Sequence, residues 1–455
     1  MDILFQTVLP FAGILIFLIV MHELGHFITA KLFGITVLEA GIGYPPRAWG
    51  FEWHGTLYSI NWLPLGGFVR LLGEEDPEDP TSLAAQSAWK RLIVLASGSF
   101  MNFLLPVVLF AAFFMLPHDV ATGPAVIGTV MPDSPASEAG LKSGDIVREI
   151  DGESIKNTSD LSREIRLRQG QTIDFLVERD EQFEGPQQLH IAVKSRWDPK
   201  DTVYEVQSGD TSRSIARELD VPVQMIWAAA EIDVTLEEGQ VLEFNTPDGP
   251  ATYTVTDTDS VSGIADRFDV EQSVIREAAG LPDPDVVEPG TELRLPQGPT
   301  GITIANLYPF TESETLPVWE AIPKGVNSTW EALILARNQV YAMFQGGAGP
   351  DVAGPVGIAQ ATGQVVDESG WEPLLQLAAL LSINLAIINM LPLPMLDGGR
   401  VAFVLLEVVR RGKRIAPEKE GIIHLIGFAV IITMAVIVTY LDIARIAGGG
   451  SLFDG

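Results

Sequence analysis

Two histidines and a glutamate near the amino terminus are spaced for metal chemistry. His22 and His26 are four residues apart, so on a helix both imidazoles project from one side, about 5 to 6 Å apart. Neutral imidazole is a good zinc ligand, and a carboxylate beside the first histidine can deprotonate water at the metal. The spacing predicts one zinc ion per chain, held by His22 and His26, with Glu23 as the catalytic base.

A catalytic zinc site normally has three protein ligands, so one more must come from elsewhere in the chain. Asp397 is the obvious candidate, because it follows the helix-stopping Pro392 and Pro394 and precedes two glycines that permit close approach. Asp-Gly-Gly by itself is typical of a plain turn. Combined with the first motif, it indicates a third ligand. The other histidines have no ligand spacing and are interpreted as structural: His54, His118, His190 and His424.

The metal motif lies inside an apolar run. Hydrophobic residues make up 47% of the chain and charged residues 19%, yet the formal net charge is −30, so apolar and acidic material must be segregated. Four stretches are long enough to cross a bilayer, which takes about 20 residues each. The predicted spans are roughly 8–30, 92–116, 373–393 and 421–441. No Lys or Arg precedes the first span, so we expect it to be retained and not cleaved as a signal peptide.

Basic residues after the third span predict that this loop is cytoplasmic. They are Arg400, Arg410, Arg411, Lys413, Arg414 and Lys419. Counting back, segment 119–370 and both termini are extracytoplasmic in a multi-pass protein of the cell membrane. The chain has no cysteine, so the outer segment must hold together without disulfides. The strongly negative charge argues against nucleic acid as a partner.

An internal repeat occupies residues 201–300, which carry 21 Asp and Glu against five Arg. The copies, 201–246 and 250–297, are each predicted to form strand, helix, helix and strand. The recurring residues are Tyr204, Val206, Ile215, Ala216, Asp220, Val221 and Ile226, and then Tyr253, Val255, Ile264, Ala265, Asp269, Val270 and Ile275. The pattern resembles the lysin-motif domain, which implies a cell-wall glycan as partner. The alternative is a spacer, or a module that docks an envelope protein.

Short strands and a helix are predicted over 119–200, ahead of the repeats. Strand 126–131 and the glycine-rich sequence from Gly140 to Gly144 resemble a PDZ domain of bacterial envelope proteases. Such domains hold peptides by strand addition. Residues 300–307 are expected to supply the last strand, which makes the repeats an insertion in a PDZ loop. The alternative is a small β-rich spacer without a ligand.

Together, the two distant motifs resemble the site-2 protease family, specifically the bacterial regulator-of-sigma-E protease class. The resemblance implies zinc ligands His22, His26 and Asp397 and a catalytic Glu23. Asn389 matches the family's asparagine upstream of the third ligand, and it is expected to donate a hydrogen bond to the oxyanion or the substrate backbone.

Further matches to this family lie in three other elements. Glycines after the first span fit a membrane-associated β-hairpin, and Asn102 fits a Gly-x-x-x-Asn element that begins at Gly98. Residues 354–357 match an element before the third span. The predicted substrate-binding residues are Gly41, Gly43, Gly66, Gly67 and Asn102.

The predicted fold class is a polytopic α-helical membrane protein with four transmembrane helices, a membrane-associated β-hairpin and an α+β extracytoplasmic region. The predicted domains are a membrane half over 1–118, a PDZ-like domain over 119–200, lysin-motif-like repeats over 201–246 and 250–297, a connecting segment over 308–370 and a second membrane half over 371–455.

The family resemblance implies an intramembrane zinc endopeptidase that cleaves single-span membrane proteins, such as anti-sigma factors or signal-peptide remnants. The alternative is an envelope-sensing receptor that binds cell-wall glycan and has an inactive membrane part. Loss of a metal ligand or of Glu23 would favour the receptor, but all four residues are present. A metal transporter would need more polar residues within several spans.

Overall fold

The computed structural model describes residues 3–74, 78–181, 185–198, 200–230, 232, 236, 239–247, 249–256, 259–281, 283–308, 310–345, 354–415 and 417–447. The chain divides into two compact units. The first contains Met1–Val120, Ser313–Arg337 and Pro350–Gly455, and the second contains Ala121–Glu312 and Asn338–Gly349.

The elements follow one another along the chain in four groups. A π-helical turn, Ile3–Val8, leads into α1 (Leu9–Leu32), β1 (Val37–Trp53), β2 (Thr56–Leu71), α2 (Ala88–Met115) and β3 (His118–Thr122). Next come β4 (Ala125–Val130), α3 (Pro135–Ala139), β5 (Ile146–Ile150), β6 (Glu153–Ser154), α4 (Thr158–Leu167), β7 (Thr172–Glu181) and β8 (Gly185–Lys194). The acidic stretch forms β9 (Thr202–Glu205), α5 (Ser212–Glu218), α6 (Val223–Ala229), β10 (Val241–Thr246), β11 (Gly249–Thr254), α7 (Val261–Phe268), α8 (Gln272–Ala279) and β12 (Glu292–Leu295). The last group is β13 (Ile302–Asn306), β14 (Phe310–Glu314), α9 (Val318–Phe344), α10 (Pro355–Ser369), α11 (Leu374–Met390), α12 (Asp397–Val409) and α13 (Pro417–Ala447).

Among the described residues, three helical stretches are long and apolar enough to cross a membrane: Leu4–Leu32, Ala88–Met115 and Lys419–Ala447. The predicted third span corresponds to α11, a shorter apolar helix of 17 residues. It ends at Met390 because Pro392 and Pro394 cannot continue a helix. At 1.5 Å per residue it rises about 26 Å, a little less than the bilayer's hydrocarbon core.

The helices α1 and α2 meet backbone to backbone. A Cβ on Gly25 would overlap with the carbonyl group of Ser97, so no larger residue fits there. One turn later, Thr29 Oγ1 and Ser97 Oγ lie 2.8 Å apart. Ser382 Oγ of α11 donates to the carbonyl of Asn102 on α2 at 2.8 Å. Small residues and interhelical hydrogen bonds of this kind are what hold apolar helices together where lipid removes the hydrophobic driving force.

Strands β1 and β2 form a long antiparallel pair that folds back on itself. Residues 37–42 pair with 67–71 on one side and with 57–60 on the other, and the far half of β1 pairs with 56–61. Four short segments therefore lie side by side, and 37–42 is an inner one. Segment 67–71 is at an edge, and no strand among the described residues covers its free side.

The connecting segment predicted over 308–370 contains two helices, α9 and α10. The Gly354–Gly357 element is the amino-terminal turn of α10, and its partner is Asp442 of α13, a carboxylate with only 1% exposure. Asp442 accepts the backbone N–H of Gly354 at 3.3 Å and of Gly357 at 2.8 Å, and Arg445 lies 2.9 Å away. A carboxylate at a helix amino terminus binds unpaired N–H groups and the positive end of the helix dipole. This contact explains the element, because a Cβ on Gly354 would lie 2.7 Å from the carboxylate.

The second unit contains a sheet in the order β13-β4-β5-β7-β8. Its core has fully buried apolar side chains from the sheet and from α4, including Ile127, Ile150, Leu161 and Phe175. β13, in the stretch expected to supply a last strand, pairs antiparallel with β4. The chain leaves this sheet after β8 and returns next to itself, since Arg196 N donates to Pro299 O at 2.8 Å. The repeats are thus inserted between β8 and β13.

The two repeats exchange strands. β9 of the first copy pairs with β12 of the second, with Tyr204 opposite Leu293, and β10 pairs with β11, with Leu242 opposite Tyr253. The first and last strands of one copy therefore do not pair with each other. Equivalent residues still occupy equivalent places, because Leu242 corresponds to Leu293 and Tyr204 to Tyr253.

The reason for the exchange is the length of one loop. β10 ends at Thr246 and β11 begins at Gly249, leaving two residues between them, and Gly249 has a φ of +124°. A two-residue loop joins adjacent antiparallel strands in a hairpin. β10 therefore pairs with the first strand of the second copy, and β9 pairs with β12.

The two copies also share a tyrosine–aspartate hydrogen bond. Tyr204 donates to Asp210 at 3.0 Å, and Tyr253 donates to Asp259 at 2.8 Å, tying the first strand to the turn before the helix. Burial, together with hydrogen bonds to Asp210 and Glu218, raises the pKa of Tyr204 to about 12. The shared contact supports the repeat relationship read from the sequence.

Candidate metal centre

Three predicted ligand residues come together in the first unit. One atom from each of His22, His26 and Asp397 lies within 4.8 Å of the others. Asp397 Oδ2 is 3.1 Å from His22 Nε2 and 3.3 Å from His26 Nε2, and the two Nε2 atoms are 3.3 Å apart. Residues far apart in the chain thus direct two imidazole nitrogens and one carboxylate oxygen at one small volume.

The other nitrogen of each imidazole is turned toward α2. His26 Nδ1 donates to the carbonyl of Val94 at 2.8 Å, which leaves Nε2 without a proton in the neutral ring. His22 Nδ1 is 3.4 Å from the side-chain amide of Asn102, whose oxygen is buried and has no hydrogen-bond partner in the described parts of the chain. When the Asn102 side-chain amide is rotated by 180°, its oxygen takes the place of its nitrogen and can accept the His22 Nδ1 proton. Both Nε2 atoms then present lone pairs.

Gly98 leaves the room in which these atoms meet. A Cβ on Gly98 would overlap with His26 Nε2 and lie 2.7 Å from His22 Nε2. Any side chain at this position would fill the space that the imidazole nitrogens face.

Zinc fits this donor set. Two imidazole nitrogens and one carboxylate oxygen are a usual catalytic zinc triad that leaves a fourth position open. Asp397 Oδ2 is buried and has no hydrogen-bond donor within the described residues. Three lone-pair atoms this close repel one another unless a cation lies between them. Hydrogen bonds at the far side of each imidazole are the usual means of orienting a metal-binding histidine.

Asp397 is placed by a tight turn and by the packing of α12. It is the first residue of that helix, and the next two residues are glycines on which a Cβ would overlap with backbone atoms of residues 390–393. Arg91 of α2 lies 2.7 Å from Glu407 on the same helix, and Arg414 lies 3.1 Å from it. Burial opposes ionisation of Glu407, but these arginines keep its pKa below the ordinary value. The ion-pair network was not evident from the sequence, because its members are 316 positions apart.

Glu23 lies next to the cluster and faces β2. A Cβ on Gly67 would be 3.5 Å from Glu23 Cγ, so the edge segment of the hairpin passes directly over this carboxylate. The glycine lets the backbone approach to van der Waals distance.

The glycines predicted to bind substrate fall into two groups. Gly66 and Gly67 lie in or next to the edge segment beside Glu23. Gly41 is in the inner segment, paired with Phe68 and Ser59, and a Cβ on Gly43 would lie 2.5 Å from Leu63 O. Gly41 therefore has a strand on both sides, whereas Gly67 belongs to a segment with a strand on one side among the described residues.

The two predicted asparagines also differ. Asn102 is fully buried next to His22, with its side-chain nitrogen 3.4 Å from His22 Nδ1. Asn389 is half-buried on the last turn of α11, and its side chain has no hydrogen bond to another described residue.

Comparison with known proteins places the chain among zinc metalloproteases. Residues 10–434 match the model of peptidase family M50. The chain is 29% identical to the zinc metalloprotease RasP of Geobacillus kaustophilus over 97% of this chain and 98% of that protein. It is 24% identical to the zinc metalloprotease RasP of Oceanobacillus iheyensis over 97% and 99%. Both similarities extend over nearly the whole of this chain.

Proposed function

Since the chain belongs to peptidase family M50 and is a zinc metalloprotease, we propose that it hydrolyses peptide bonds within the membrane-spanning segments of other proteins. The observation that carries this proposal is the convergence of His22, His26 and Asp397 at an apolar helix long enough to cross a membrane. An ionisable cluster in such a helix is costly unless it serves chemistry.

His22, His26 and Asp397 are the proposed zinc ligands. Zinc, when bound, supplies a Lewis acid that lowers the pKa of water toward about 7. Glu23 accepts the proton of the attacking water and passes it to the leaving amine. Asn102 fixes the tautomer and orientation of His22, and the carbonyl of Val94 does the same for His26. Asn389 donates a hydrogen bond to the developing oxyanion or to the substrate backbone.

The proposed substrate site is the free edge of segment 67–71. A transmembrane helix hides its carbonyls in its own hydrogen bonds, so the scissile stretch must unwind before it can be attacked. An unwound stretch can add to the hairpin edge as a further strand. Gly67 lets that strand lie close to Glu23. Substrates with helix-breaking residues near the scissile bond are therefore favoured.

The proposed topology has four spans, with α11 as the third, and places segment 119–370 and both termini outside the cell membrane. The outer unit is proposed to be a PDZ-like domain with an inserted pair of lysin-motif-like repeats. The PDZ-like part excludes substrates whose outer domain has not been trimmed. The proposed substrates are single-span membrane proteins, such as anti-sigma factors or signal-peptide remnants.

The test uses the full chain purified in detergent. Zinc content is measured by mass spectrometry, and cleavage of a single-span model helix is followed for the natural chain, Glu23→Gln and Asp397→Ala. We expect Glu23→Gln to keep one zinc per chain and to lose cleavage by about 10²–10⁴-fold, the usual contribution of a general base. Asp397→Ala should lose the metal. Equal cleavage by Glu23→Gln and the natural chain would exclude Glu23 as the base.

The position of the cut tests the intramembrane part of the proposal separately. Peptide mass spectrometry of the products should place the new terminus inside the apolar segment of the model helix. A cut confined to the polar flanks would leave a zinc protease that acts outside the membrane.

A binding assay tests the repeats. The full chain in detergent is mixed with purified peptidoglycan, and soluble N-acetylglucosamine oligomers serve as competitor. Retention at physiological salt that the oligomers abolish supports glycan binding. No retention favours a spacer or a protein-docking module.

A further inference from the structure

The turn that delivers Asp397 has a strained backbone. Met395, two residues before the carboxylate, has a φ of +76°, in the left-handed region that a residue with a Cβ avoids. A conformation of this kind persists only when the surroundings hold it. The turn itself supplies short-range backbone bonds on either side of Met395, among them Leu393 N to Leu391 O and Leu396 N to Leu393 O.

The remaining support comes from α13. The backbone N–H of Met395 donates to His424 Nδ1 at 2.9 Å. Because Nδ1 accepts, the proton of the neutral ring is on Nε2, which lies 3.8 Å from Glu420 Oε1. The His424 ring also packs edge-on against Phe403 of α12, with the ring centroids 5.5 Å apart. One side chain thus contacts the chain on both sides of Asp397.

Gly427 brings α13 close enough for these contacts. A Cβ on Gly427 would overlap with the ring of Pro394 and lie 2.9 Å from its carbonyl oxygen. His424 and Gly427 are three residues apart and so share one face of the helix. This face of α13 rests on the turn, although α13 contributes no metal ligand.

We propose that His424 is a positioning residue for the third metal ligand, acting through the Met395 N–H to fix the turn that aims Asp397 at the two histidines. The inference rests on the proposed role of Asp397 as a ligand. It also assigns a function to the carboxy-terminal span: α13 holds the metal-ligand turn in place. His424 does not touch the reacting atoms.

The experiment compares zinc affinity across variants of the full-length protein in detergent, measured by competition with a chromogenic chelator at neutral pH. Loss of a partner that orients a metal ligand typically weakens metal binding 10–100-fold. We expect His424→Leu, which cannot accept the Met395 N–H, to weaken zinc binding by at least about tenfold. His424→Asn, whose side-chain oxygen can replace Nδ1, should restore most of it. His190→Leu, at an exposed histidine of the outer unit, is the control and should bind zinc like the natural chain.

Repeating the His424→Leu change in a Met395→Gly variant isolates the contribution of backbone strain. Met395→Gly removes the penalty of the positive φ, so the same His424→Leu change should weaken zinc binding less in Met395→Gly than in the natural chain. Unchanged zinc affinity of His424→Leu would overturn the inference, and so would equal losses in His424→Leu and His424→Asn, which would indicate ring packing instead of the hydrogen bond. If Asp397→Ala retained the natural affinity, the proposed ligand set itself would fail.

Discussion

The metal centre and the acidic repeats both join chain segments that are far apart in sequence. They differ in how far their packing tolerates a change of side chain or of strand partner. At the centre, Gly25, Gly98 and the glycines after Asp397 leave no room for a side chain. In the repeats, equivalent strands exchange partners, and Leu242 and Leu293 are fully buried opposite Tyr253 and Tyr204. A site that places lone pairs within 3.3 Å of each other requires unique packing, whereas a repeated unit is satisfied by either copy of a strand.

The largest effect should come from filling the space at the metal centre. Gly98→Ala adds one methyl group that overlaps with His26 Nε2, so we expect loss of zinc binding and of cleavage by more than about 100-fold. Alanine is a better helix former than glycine, so weaker helix formation cannot explain such a loss. The matched control is Gly13→Ala on α1, where nothing lies within 4 Å. Normal zinc content in Gly98→Ala would show that the ligands can rearrange.

A smaller effect is expected where α13 meets α10. Gly357→Val places side-chain atoms against Asp442 Oδ1, which would lie 3.0 Å from the new Cβ. Overpacking of a tight contact typically costs about 1–3 kcal/mol. The thermal midpoint in detergent should therefore fall by several degrees, while Gly421→Val, at an open position on α13, should leave it unchanged. Equal midpoints for the two variants would show that the contact at Gly357 is not tight.

The ion pairs of Glu407 should contribute a pH-dependent stability. Arg91 and Arg414 lower the folded-state pKa of Glu407, so its contribution is present above the unfolded pKa of about 4.3 and is lost as the pH falls through the lower folded value. Glu407→Gln should lower the free energy of unfolding by about 1–3 kcal/mol at pH 6. The difference from the natural chain should shrink below about pH 4. Glu52→Gln, at an exposed position of the hairpin, is the control. A difference independent of pH would argue against the ion pairs.

The smallest change tests which strands pair in the repeats. The chain contains no cysteine, so introduced pairs can be read without background. Val203 lies opposite Arg294, so Val203→Cys with Arg294→Cys should form a disulfide within one chain and change stability little. Val203→Cys with Glu243→Cys is the matched control, since these two residues would be opposite only if the first copy closed on its own strands. Rapid cross-linking of the control pair alone would contradict the exchanged pairing.

The sequence by itself determined the elements whose causes are local. Helical spacing placed His22, Glu23 and His26 on one surface, and apolar length marked the helices that can cross a membrane. The recurrence of Tyr204 at Tyr253 identified the repeats. These features follow from the helical period of 3.6 residues, from bilayer thickness and from similarity between the two copies. None of them requires knowledge of the tertiary contacts.

Only the tertiary structure decided which of those elements meet. It showed that the inner glycines of the hairpin are covered while Gly67 lies against Glu23, that Asn102 faces His22, and that Asp442 explains the Gly354–Gly357 element. It also assigned β10 to the second repeat, where β10 forms a hairpin with β11. Contacts across hundreds of positions depend on packing that no local pattern encodes, and for this reason the partners of His424 became visible only in the folded chain.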